Sequence, residues 1–65
     1  MARTEFFYEG VKMSSLESMY FSKWLDRQDW SINTFIKDDR LTIINEWLYC
    51  HRNNIKPTRL ENLYK

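Results

Sequence analysis

The chain has 65 residues and a net charge of +1, with 43% apolar residues, eleven of them aromatic, against one Gly, one Pro, one Cys and one His. A chain this short is one domain, spanning 1–65, and folding removes only roughly 60% of the unfolded chain's surface from water. Its lone Cys50 excludes an internal disulfide and points to a reducing compartment, the cytoplasm.

Residues 1–13 form an N-terminal arm ahead of a helical core at 14–65. Thr4 to Tyr8 favours an extended conformation and Gly10 a turn, but no second convincing strand is evident to pair with it. The longest apolar run there, Phe6-Phe7-Tyr8, is far short of a signal-peptide core or of the roughly 20 residues needed for a membrane span. No membrane association is expected.

Ser14 and Glu17 have the spacing of a capping box, which predicts a helix over about 16–28. At 100° per residue, Leu16, Tyr20, Phe21, Trp24 and Leu25 share one half of it, and Met19 falls on the polar side. Ser31 is placed to cap a second, two-turn helix in which Ile32, Phe35 and Ile36 repeat at i, i+3, i+4.

Asp38-Asp39 then suits the start of a third helix over about 39–52, because carboxylates oppose the positive end of the macrodipole. Leu41, Ile43, Ile44, Trp47, Leu48 and His51 cover about half its surface, so it is expected to be central. Asn53-Asn54 can end it in left-handed geometry, and Lys56-Pro57 enforces the break. Thr58 and Glu61 repeat the capping-box spacing for a last short helix carrying Leu60, Leu63 and Tyr64. The expected fold is all-α, a compact bundle of three to four short helices with an irregular or extended arm.

Catalytic and metal chemistry finds little support. Neighbouring Cys50 and His51 point about 100° apart on a helix, which places the imidazole poorly for taking the thiol proton. One Cys and one His cannot complete a tetrahedral zinc site within one chain. Capping and solvation account for Asp38-Asp39 and for Asp26 with Asp29. A single Gly leaves no phosphate-cradling motif. The expectation is a protein that is not an enzyme and uses no cofactor.

Residues 1–51 carry six Lys/Arg and eight Asp/Glu, whereas 52–65 carry four and one. This basic tail supports a nucleic-acid reading. Helices at 31–37 and 40–52 would imitate helix-turn-helix order, with Asn45 and Arg52 at base edges and Lys56 and Arg59 at phosphates. Glu46 and the two turn aspartates would oppose phosphate.

The surplus of aromatics favours recognition of another protein by burial of anchors. The candidate contacts are Phe6, Phe7 and Tyr8 on the arm, Trp30 at a helix junction and Tyr49 on the polar side of the third helix. Such a chain suits a small regulatory or inhibitory protein, including the kind encoded by phages, that occludes a partner's surface. Self-association through the same aromatics is a third reading.

Residues 20–28, Tyr-Phe-Ser-Lys-Trp-Leu-Asp-Arg-Gln, resemble the opening helix of the YozE-like, sterile-alpha-motif-like small bacterial helical domains. Glu46-Trp47-Leu48 and Leu60-Glu61-Asn62-Leu63-Tyr64 are similar to later helices of that pattern. The resemblance implies a compact helical bundle and no defined chemistry.

Overall fold

The computed structural model describes residues 5–64. Strand β1 (Glu5–Tyr8) turns back into β2 (Val11–Ser14), and helices α1 (Ser15–Gln28), α2 (Lys37–Arg52) and α3 (Thr58–Leu63) follow, with a single 3-10 turn at Ile32–Thr34. The all-α expectation is therefore corrected to a mixed fold in which the arm is an antiparallel hairpin.

The hairpin forms because its alternation suits a half-buried sheet. Phe6 pairs with Met13 and Tyr8 with Val11 on one face, Glu5 with Ser14 and Phe7 with Lys12 on the other. The turn residues Glu9 and Gly10 both have positive φ, 50° and 83°, as a two-residue hairpin loop matched to strand twist requires. Glu there is held by Arg40 of α2, whose Nε lies 2.9 Å from Glu9 Oε1. That N–H is poorly aimed at the carboxylate, so the contact is an ion pair and not a hydrogen bond. Met13 is fully buried, which fixes the register, since a one-residue slip would turn it out to water.

Ser14 closes β2 and caps α1. Its extended backbone (φ −74°, ψ 165°) serves both roles, and the capping box with Glu17 is complete. At the other end Asp29 takes the left-handed conformation. The amides of Asp29 and Trp30 donate to Asp26 and Leu25, which is a Schellman motif. Asn54 ends α2 in the same manner, with φ 55° and with the amides of Asn54 and Ile55 donating to His51 and Cys50.

Three helix starts differ from expectation. The two-turn helix after Ser31 is one 3-10 turn, closed by Thr34 Oγ1 donating to the Ser31 carbonyl (2.7 Å). Helix α2 begins at Lys37, with Ile36 as an uncapped N-cap, and Asp38 and Asp39 lie inside its first turn. Pro57 precedes α3, and no capping box forms. Glu61 instead accepts from the buried Trp24 indole (2.8 Å) and from Gln28 (3.3 Å).

The core joins all these elements: Met13 from the hairpin, Phe21, Trp24 and Leu25 from α1, Ile43, Ile44, Trp47 and Leu48 from α2, and Leu60 from α3. Glu17 ties its edge. The Arg52 Nε donates to Glu17 Oε2 (2.7 Å) and Nη2 to Oε1 (3.1 Å), while the same Nη2 approaches the Lys12 carbonyl of β2 at 3.5 Å.

Candidate functional site

Eight of the eleven aromatic residues lie in one continuous network of ring contacts. Tyr8 meets Phe21 edge-on at 5.7 Å, and Phe21 contacts Trp24 and Trp47. Trp24 leads to Trp30, which meets Phe35 and Tyr64. Trp47 stacks on His51 at 4.7 Å, and His51 contacts Tyr20 at 5.5 Å. Edge and offset contacts of this kind add to simple burial. The three aromatics outside the network are Phe6, Phe7 and Tyr49.

The candidate contacts thus separate. Tyr8 is half-buried, and its hydroxyl shares a 2.8 Å hydrogen bond with Ser18 of α1. Trp30 is also packed against the core. Phe6, Phe7 (61% exposed) and Tyr49 (61% exposed) present their rings to solvent.

Two of the four candidate nucleic-acid residues are hydrogen-bonded within the chain. Asn45 donates to the Leu41 carbonyl one turn back (2.9 Å). Arg52 is held by Glu17, and Arg59, highly exposed, lies 4.0 Å from Glu46. Lys56 makes no ion pair among the described residues. The first of the two helices in the expected helix-turn-helix order is the lone 3-10 turn.

Where the aromatic network reaches water lies a surface built partly from residues expected in the core, Tyr20, Trp24, Trp47 and His51. Tyr20, Trp24, Trp47, His51, Ile55 and Pro57 line one groove between α1, the end of α2 and the following loop. Tyr20 is 43% exposed and Ile55 48%. Leu16, one turn before Tyr20 on α1, is 55% exposed. Arg27 borders the groove and three further depressions, one lined by Lys23 and Asp26, one by Trp30 and Glu61, and one by Lys56, Thr58 and Glu61. Around these depressions the three cations Lys23, Arg27 and Lys56 stand against the two carboxylates Asp26 and Glu61, none of the five ion-paired among the described residues, so the rim carries a small positive excess.

The sequence signal for this face was the width of the apolar sector on α1. Phe21, Trp24 and Leu25 are enough to meet a small core, which leaves Leu16 and Tyr20 on the outer margin of the same half-cylinder. Nothing local marked Ile55, which the helix-ending turn at Asn54 carries to the groove.

Four groups have shifted ionisation, among them Arg52, which its hydrogen bond to Glu17 pushes up. The Arg52 guanidinium bonded to Glu17 holds that carboxyl down to about 2 from an ordinary 4.5; burial opposes the shift and the Ser14 amide assists it. Burial, followed by the charge of Glu46, pushes the Cys50 thiol up, which makes it a poor nucleophile at neutral pH. Burial and then Asp39, which accepts from its hydroxyl at 3.2 Å, push Tyr64 up. No group of three or more His, Cys, Asp or Glu able to hold a metal occurs among the described residues, and no described helix is long and apolar enough to cross a membrane. Comparison with protein-family models, curated proteins and solved structures gave no match.

Proposed function

We propose that the chain is a non-catalytic recognition module that binds another protein through the Tyr20–His51–Ile55 groove. The observation that carries this reading is the half-exposed Tyr20 ring, in contact with His51, which stacks on Trp47. An aromatic backed by rigid neighbours loses little freedom on binding, which is the character of an interface anchor. Lys23, Arg27 and Lys56 around it favour a partner segment that is acidic and carries one large apolar side chain. Binding there would act by occlusion, the mode of a small regulatory or inhibitory protein.

Selection from a random peptide library, followed by titration of an enriched peptide, tests this. Enriched peptides are expected to combine acidic residues with an apolar anchor. Tyr20→Ser and Ile55→Ser are expected to weaken binding by about tenfold or more, as loss of an interface anchor does, while Asn45→Ala leaves it unchanged. Enrichment without that composition, or binding indifferent to Tyr20 and Ile55, refutes the assignment. Exposed aromatics beside cations also suit stacked bases. Steeply salt-dependent binding of a single-stranded oligonucleotide, lost with Tyr20→Ser, would move the groove to that class.

A further inference from the structure

The two edges of the hairpin differ. On β2 two outward backbone groups have partners from the helices: the Ser14 amide donates to Glu17 Oε1 (2.9 Å), and the Lys12 carbonyl accepts from Arg52 (3.5 Å). Those contacts show that Lys12 and Ser14 point their peptide groups away from β1. By the alternation of an antiparallel ladder, their partners Phe7 and Glu5 then point theirs away from β2. Among the described residues nothing meets these groups on β1, and Phe7 beside them is exposed.

We infer that the β1 edge pairs with the β1 edge of a second copy, forming a continuous four-stranded antiparallel sheet. Self-pairing about a two-fold axis has three registers centred within the exposed part of the strand, and charge separates them. Centring on Glu5 sets Glu5 against itself; centring on Phe7 sets Glu5 against Glu9 of the other copy. Like charges directly opposite are destabilising. Centring on Phe6 avoids both and pairs Glu5 with Phe7 in each direction, so that the outward-pointing residues exchange both of their hydrogen bonds.

The same register uses the side chains left over by the fold. Phe6 is 45% exposed and lies on the face that carries Met13 into the core; it would meet its own copy at the closely spaced, non-hydrogen-bonded position. On the opposite face, Phe7 would lie between Lys12 of its own copy and Glu5 of the other. The ion pair of Lys12 with Glu5 (2.9 Å) leaves that face with balanced charge. This surface is separate from the Tyr20 groove. None of the residues that line that groove belongs to the hairpin.

The test is sedimentation equilibrium of the full chain up to about millimolar concentration, the range of weak specific association, with two variants. Phe6→Glu sets like charges at the centre, and a synthetic chain with N-methyl-Phe7 removes an outward amide that β2 does not use. Each is expected to weaken a monomer–dimer equilibrium by about tenfold or more. A native chain that stays monomeric, or a dimer equally strong in both variants, overturns the inference. Should either variant lose its hairpin by NMR, isotope-filtered contacts between Phe6 rings in a mixed labelled and unlabelled native sample decide it: their presence supports the pairing, and their absence from a dimer overturns it.

Discussion

Replacing Glu17 by Gln is expected to remove the strongest electrostatic tie between the helices and to leave local structure intact. Gln retains an oxygen for the Ser14 amide, so the capping box survives, but it lacks the charge and sets an NH2 against Arg52 Nε where Glu17 Oε2 accepts. The displacement of the Glu17 carboxyl from 4.5 to about 2 corresponds to roughly 3 kcal/mol if converted in full. The Arg52 side chain is 55% exposed and Glu17 16%, so screening by water reduces this to about 1–2 kcal/mol, between the values of exposed and buried pairs.

The sign follows from linkage. A carboxyl whose folded value is depressed adds stability above its unfolded value and loses it as the pH falls through the folded one. Native chain and Glu17→Gln should thus differ by about 1–2 kcal/mol at pH 7, and the difference should close between pH 5 and pH 2. Urea denaturation followed by tryptophan fluorescence at each pH measures both curves, and their difference cancels the titration of every other carboxyl. A gap that does not change with pH across that window, or none at pH 7, would refute the assignment of this stability to the Glu17–Arg52 pair.

Glu61→Ala strands the buried Trp24 indole N–H and should cost about 1–3 kcal/mol; Glu61→Gln, which keeps an acceptor, should cost less, with both read by urea denaturation. Asp29→Gly should stabilise by up to about 1 kcal/mol, because Gly adopts the left-handed region without the penalty of a Cβ. Thermal unfolding would show this as a rise in Tm of roughly 4–8 °C per kcal/mol for a chain this size.

The helices were legible wherever the signal was local. The Ser14–Glu17 box, the apolar sector of 41–51 and the stop at Asn54 depend on neighbours within about one turn, and all three are present. The hairpin was not legible because two features conceal it, one local and one long-range. Ser14 reads as a helix cap and hides the end of β2, and Glu9-Gly10 departs from the favoured Asn-Gly and Asp-Gly turn pairs. The strain at Glu9 is tolerated beside a cation from α2, 31 positions further on. Glu61 illustrates the same limit: its spacing from Thr58 has the capping pattern, yet its carboxylate goes to an indole 37 residues away.

The aromatics show why the same chain gave its core more readily than its surface. Periodicity states which half of a helix is apolar, but not how much of that half the neighbouring elements can cover. Trp24 and Phe21 occupy the middle of the α1 sector and are buried; Tyr20 and Leu16 lie on its margin, where α2 ends and Asn54 turns the chain aside. Where α2 stops therefore decides whether Tyr20 is core or contact. The left-handed Asn54 ends α2 and brings Ile55 beside the ring, which leaves a groove. The helix-ending turn is thus part of the proposed recognition site although its own side chain touches none of it. Asn54→Ala, which disfavours the left-handed conformation by about 1 kcal/mol, should weaken peptide binding at Tyr20 as well as stability; unchanged affinity in a folded variant would separate the turn from the groove.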